Sequence, residues 1–135
     1  MLFRSPINSV PKPEFLSSEI VFRLHAASLR RFGGTEGVRD IGLIESALGS
    51  AMNTFHYGNG DLFDIAASYA FHLAQAQAFL DGNKRTAVIT ALTFLELNGV
   101  SRMPANMEIY EAMIAIAESR LDKTGLAALF RKAAV

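Results

Sequence analysis

Apolar residues recur at helical spacing along nearly the whole chain. Ile20, Phe22, Leu24 and Leu29 fall in a stretch from about residue 18 to 31 that stops at Gly33-Gly34, predicting a first helix. A second begins at Asp40, whose carboxylate suits an N-cap, and carries Ile44, Ala47, Leu48 and Ala51 at i, i+3, i+4 and i+7. Residues 49–61 hold Asn53, Tyr57, Gly58, Asn59 and Gly60 and read as a loop or short hairpin. A third helix follows Asp61 and continues to about Ala78, where Phe79-Leu80-Asp81-Gly82 breaks it. A fourth spans residues 83–98 and is closed by Gly99.

The fourth helix carries the most information. Ala87, Val88, Ile89, Ala91, Leu92, Phe94, Leu95 and Leu97 cover most of its circumference, the pattern of a helix at the centre of a bundle. Its first turn, Asn83-Lys84-Arg85-Thr86, is instead polar and cationic. Two shorter helices, near residues 106–118 and 124–134, pack around it. The expected fold is all-α: a compact bundle of about six helices around a central buried helix, with a short flap formed by residues 49–61. Residues 1–14, with Pro6, Pro11 and Pro13, read as an N-terminal extension of a single domain spanning 1–135.

Length and composition narrow the possibilities. A chain of 135 residues makes one ordinary domain, large enough to fold without a disulfide or structural metal. Half the residues are apolar and 19% are charged, which excludes a disordered chain. Thirteen basic residues balance thirteen acidic ones, and the balance holds in both halves, so no basic field attracts nucleic acid or anionic lipid. The absence of cysteine excludes thiolate catalysis and Cys-ligated zinc. The longest uncharged run, residues 65–80, contains His72, Gln75 and Gln77 and falls short of the roughly 20 residues of a bilayer span. With no signal-peptide pattern over residues 1–11, the expectation is a cytoplasmic protein.

The segment Asp81-Gly82-Asn83-Lys84-Arg85-Thr86 concentrates anion-handling chemistry. A helix N-terminus offers unpaired N–H groups and the positive end of a dipole. Gly82 permits a tight turn and close approach of a ligand. Lys84 and Arg85 supply a point charge and a planar fork for phosphate oxygens, and Asn83 an amide donor. Asp81 repels a phosphate unless a cation lies between, and Mg²⁺ is commonly held by one or two carboxylates plus substrate phosphates. The residues describe a Mg²⁺–nucleotide site that is not a Walker loop, because no GxxxxGK[ST] occurs. Asp-Gly-Asn is also common turn chemistry, and Lys-Arg is common on a solvated helix start. The position of these charges at the mouth of the most apolar helix favours the site.

The run Gln77-Ala-Phe-Leu-Asp-Gly-Asn-Lys-Arg-Thr-Ala87 resembles the signature of the Fic/Doc family, a histidine followed by x-F-x-D-(A/G)-N-K-R-T-A. Phe94-Leu-Glu-Leu-Asn-Gly99 agrees too, as do Arg31-Phe-Gly-Gly34, Gly37-Val-Arg-Asp-Ile-Gly-Leu-Ile-Glu-Ser46 and Asp61-Leu-Phe63. Lys84 in place of a glycine, and Val88 where a second arginine would stand, resemble the Doc branch rather than the nucleotidyl-transferring Fic proteins. The resemblance implies a toxin of a bacterial toxin–antitoxin pair that transfers phosphate from ATP to a threonine of elongation factor Tu. It implies that Asp81 holds Mg²⁺, that Gly82, Asn83, Lys84 and Arg85 cradle the phosphates, and that Phe79 fixes the loop. It further implies that the flap aligns a target segment by strand-like pairing and that an antitoxin helix lies in a groove.

The motif histidine is replaced by Gln77. A neutral amide cannot take the proton of an attacking hydroxyl, and losing a positioned base costs about 10²–10⁴-fold in rate. The chain as written is therefore expected to be inactive, or nearly so, with its phosphate cradle intact. No other histidine substitutes. On a continuous helix His72 points about 140° away from Gln77 and reads as a hydrogen-bonded core group. His56 reads as a solvent-exposed flap residue, and His25 carries no functional argument. Gln77 leaves two readings open: a toxin disarmed by substitution, favoured because the other motif residues are kept, or a pseudoenzyme that binds nucleotide or antitoxin. Transfer of AMP instead of phosphate is a further alternative.

Overall fold

The structure is a computed structural model that describes residues 12–135. Most of the N-terminal extension, residues 1–11, thus lies outside the described residues. Six helices follow in order: α1 (Ser18–Phe32), α2 (Ile41–His56), α3 (Leu62–Ala76), α4 (Asn83–Leu97), α5 (Asn106–Ala117) and α6 (Lys123–Ala133). No strand occurs among the described residues, and the all-α expectation holds.

Local chemistry sets the helix boundaries. Ser17, Asp40, Asp61 and Asp122 each accept a backbone N–H from the first turn of α1, α2, α3 and α6. Asp61 forms a reciprocal capping box with Asp64, and both carboxylates reach Arg131 of α6 at 3.0 and 3.3 Å. Gly33, at φ 82°, ends α1 and returns its N–H to the Leu29 carbonyl at 2.7 Å.

The centre of the bundle is α3, not α4. Every residue from Ile65 to Ala70 is buried, and α3 packs against α2, α4 and α6. Small residues on both partners, Ala66, Ala67 and Ala70 on α3 and Ala87 and Ala91 on α4, are buried in the one core where these helices pack, and let their backbones approach closely. Phe94, Tyr69, Phe79 and Phe130 fill the space around them, each burial contributing about 1.5–3 kcal/mol. Helix α4 buries one face through Thr86, Ala87, Thr90, Ala91, Phe94 and Leu95, while Leu97 is half exposed. Its hydrophobicity all round reflects a second, partly open apolar face.

The other correction concerns residues 49–61. Helix α2 continues to His56, and only residues 57–61 form a loop. The buried stripe Ile44, Ala47, Leu48, Ala51 extends to Phe55, whose ring meets Phe15 edge-on at 6.0 Å. Packing on that side outweighs the turn-forming composition of the other.

Asn98 ties the far end of α4. Its amide accepts from Glu14 N–H at 2.8 Å and donates to the Glu14 carbonyl at 3.0 Å. Leu16 N–H donates to the Tyr69 hydroxyl at 3.0 Å, and burial pushes that phenol up to about 12. The chain entering α1 is thereby fixed to the core.

Candidate functional site

The chain between α3 and α4 forms the site, and its shape follows from backbone geometry. Helix α3 stops at Ala76, two residues earlier than the pattern suggests, because Gln77 adopts a left-handed conformation at φ 48°. Ala78 and Phe79 then turn into the core, and Val38 and Phe79 form an isolated antiparallel bridge. Arg39 N–H donates to the Ala78 carbonyl at 2.6 Å, and Leu80 N–H to the Gly37 carbonyl at 3.0 Å. In this pattern the amide and carbonyl of Val38 and of Phe79 point away from each other. Those of Phe79 meet the side chain of Asn83: Phe79 N–H donates to Oδ1 at 3.0 Å and Nδ2 donates to the Phe79 carbonyl at 2.9 Å. Asn83 thus serves as a one-residue neighbouring strand. Its amide holds the loop, and the second Nδ2 hydrogen, which has no partner among the described residues, is left for the phosphate role expected of it.

Gly82, at φ 77°, occupies the N-cap position of α4 and has no side chain to accept the helix amides. A Cβ there would lie 3.3 Å from Nη2 of Arg85, in a conformation L-residues avoid. The first-turn N–H groups of α4 therefore face outward without a side-chain cap, beside Lys84 and Arg85. Arg85 is partly anchored: Nε donates to Ser28 Oγ at 3.1 Å and Nη2 to the Gly33 carbonyl at 3.0 Å. Its guanidinium lies 5.5 Å from the Phe32 ring centre. Two of its five N–H donors are used there, leaving the rest for a ligand. Lys84 is exposed, and among the described residues neither cation pairs with a carboxylate.

Asp81 is exposed and held in one orientation. Thr35 N–H donates to Oδ2 at 3.1 Å and Gly82 N–H to Oδ1 at 2.8 Å. These two bonds, joined by the charges of Arg85 and His25, hold its carboxyl below the usual carboxylate range, so it is ionised at neutral pH. Each oxygen keeps a free lone pair. Among the described residues no cluster of three or more His, Asp or Glu surrounds it. The donor set therefore suits an ion that takes one protein carboxylate and completes its shell with water and phosphate, as Mg²⁺ does.

All six residues singled out in the sequence, Gln77, Asp81, Gly82, Asn83, Lys84 and Arg85, line one hollow of about 350 Å³. Gln77 is exposed at its lip. A second groove of about 580 Å³ starts at Lys84 and Arg85 and runs between α4 and α5, with Val88, Leu92, Ile109 and Tyr110 among its walls.

Residues 15–95 match the family model of the Fic/DOC family. The chain belongs to the Fic/DOC family. It is 32% identical over 118 residues to "Protein kinase doc" of Escherichia phage P1, covering 87% of this chain and 93% of that protein. It is 40% identical over 101 residues to "Toxin Doc" of Mycolicibacterium smegmatis, covering 73% of this chain and 75% of that protein. Membership accounts for the separated blocks shared with the Fic/Doc pattern. Gly33 meets Arg85 in the first turn of α4, while Gly34 and residues 37–40 adjoin the loop that carries the rest of the motif.

The histidines settle differently from one another. His72 is half-buried and accepts from Lys123 Nζ at 2.9 Å, in keeping with a hydrogen-bonded core group. His56 is exposed at the end of α2, against Phe55 and Phe15. His25 is the surprise. It is buried, stacks on Phe79 with ring centres 3.8 Å apart, and lies 2.8 Å through Nε2 from the Asp81 carbonyl. The sequence offers no sign of a partner 56 residues away. Among the described residues no helix is long and apolar enough to cross a membrane.

Proposed function

We propose that this chain is a Doc-like toxin of a bacterial toxin–antitoxin pair whose phosphate site is built but whose proton acceptor is missing. The observation that carries the reading is the convergence of Gln77, Asp81, Gly82, Lys84 and Arg85 on one hollow at an uncapped helix start. In this reading the α4 amides, Lys84 and Arg85 would hold the phosphates of ATP, and Asp81 would hold Mg²⁺, which would supply charge neutralisation for the phosphates.

In phosphate transfer a target hydroxyl oxygen bonds to the γ-phosphorus of ATP as the bond from that phosphorus to the ADP oxygen breaks and ADP leaves, with a base at position 77 accepting the hydroxyl proton. Gln77 has no basic atom to offer, so transfer by this chain is slower by about 10²–10⁴-fold than by a histidine form. Lys84 and Val88 favour phosphate over AMP as the transferred group, and elongation factor Tu is the target implied by the Doc pattern. The target segment pairs along the free edge of Val38, which faces away from Phe79, rather than along residues 49–61. The groove between α4 and α5, apolar along its walls and cationic at its mouth, suits an acidic amphipathic helix of an antitoxin.

The direct test restores the base. Gln77→His, induced in bacteria, is expected to arrest growth and add the mass of one phosphate to elongation factor Tu. Unimpaired growth with an unmodified factor overturns the toxin reading, and an added AMP mass overturns phosphate transfer. Tight antitoxin or nucleotide binding without toxicity after restoration selects the second reading, a pseudoenzyme binding module. The exposed, strained Gln77 at the lip of an otherwise complete site is the observation in that module's favour.

A further inference from the structure

Helix α1 contributes no residue of the motif, yet it supports the site from behind. His25 and Ser28 are both buried, stand three residues apart on one face, and meet the α3–α4 loop and the first turn of α4 respectively. Ser28 receives Arg85, while His25 reaches the peptide linking Asp81 to Gly82. The carbonyl oxygen of that peptide can only accept, so the 2.8 Å contact requires a hydrogen on Nε2 of His25. The N–H on the opposite side of the same peptide donates to Asp81 Oδ1 at 2.8 Å. The plane is thus pinned at both ends, and the second carboxylate oxygen is pinned in turn by Thr35 N–H at 3.1 Å.

Such pinning matters because this peptide is the easiest in the loop to turn. Gly82 tolerates both signs of φ, and Asp81 is exposed, so its carbonyl could otherwise turn to water. A flip would remove Gly82 N–H from the carboxylate, release Asp81, and redirect the chain entering α4. We propose that His25 is a positioning residue for the phosphate site: its Nε2–H locks the Asp81–Gly82 peptide so that Asp81 and the open amides of α4 face the same hollow. This rests on the phosphate-binding reading above, and the ring stacked on Phe79 fixes the imidazole's orientation.

The test separates donor from packing. His25→Phe keeps an aromatic ring against Phe79 and removes the donor, whereas His25→Gln keeps an N–H near the position of Nε2. Amide NMR spectra of the two variants and the parent report on Gly82 and Asn83, and calorimetry with Mg²⁺–ATP reports on the hollow. His25→Phe is expected to shift both amides, speed exchange of Gly82 N–H, and weaken Mg²⁺–ATP about five- to tenfold, the loss of one hydrogen bond's contribution. His25→Gln is expected to restore the amides and the affinity. Unmoved amides in a folded His25→Phe protein overturn the proposal, even if its melting temperature falls, because His25 would then be packing alone. A parent protein that binds no Mg²⁺–ATP contradicts the phosphate reading, while the Gly82 amide still decides the role of His25.

Discussion

Asn83 pairs both poles of its side-chain amide with the backbone of Phe79, at 3.0 and 2.9 Å, and so closes the loop that precedes its own helix. Asn98 does the same for Glu14 at the other end of α4. One helix thus carries an amide clamp at each end. The first clamp sets where Asp81 and Gly82 stand. Asn83→Ala is expected to leave two backbone groups of Phe79 without partners and to lower stability by about 2 kcal/mol, read as a lower urea midpoint. Asn83→Asp keeps only the acceptor and should recover part of that loss at most.

Gly34 stands where the chain leaving α1 passes Asp81. Its φ is +129°, and a Cβ there would lie 2.8 Å from Leu29 Cδ2 and 2.9 Å from Asp81 Oδ2. Gly34→Ala should cost about 2 kcal/mol through backbone strain and displace the carboxylate from its bond to Thr35. Thermal unfolding measures the first effect, and loss of Mg²⁺-dependent ATP binding the second.

Much of the fold was legible because periodicity and capping agreed. The starts of α2 and α3 follow from Asp40 and Asp61, and the stop of α4 from Gly99. The failure at residues 49–56 had a readable counter-signal: Ala51 and Phe55 continue the buried stripe at i+4, and burial outweighed the Asn and Gly residues that suggested a loop. The early end of α3 lies in the backbone of Gln77, whose left-handed φ no side-chain pattern announces. At the site, the motif residues were legible, but what holds them was not. His25 and Thr35 reach Asp81, and Ser28 and Gly33 reach Arg85, from 46 or more residues away, and Gly33 and Thr35 do so through a backbone carbonyl and amide that leave no mark in a sequence.

His72 gives the protein a response to acid. Burial first, and the neighbouring Lys123 ammonium second, push its imidazole below the ordinary value of 6.5. The unfolded chain therefore takes up a proton before the folded one as pH falls. Stability from this group is complete above pH 6.5 and declines as pH drops through the folded value. His72→Gln keeps an acceptor for Lys123 and cannot titrate, so urea midpoints between about pH 7 and 5 should fall less steeply than in the parent. Parallel slopes would remove the His72–Lys123 pair from the account. Asp81 adds a separate loss in stronger acid, below its ordinary 3.8, because its folded carboxyl is the harder one to protonate.

The open end of α4 is the claim on which the functional account stands, and Lys84 is its cleanest probe because the side chain is exposed and outside every described hydrogen bond and ion pair. Calorimetric titration of ATP with Mg²⁺ into the parent and into Lys84→Ala measures it directly. The account predicts Mg²⁺-dependent binding by the parent and at least about tenfold weaker binding by the variant at an unchanged melting temperature. Equal affinities, or no binding by the parent, would contradict it.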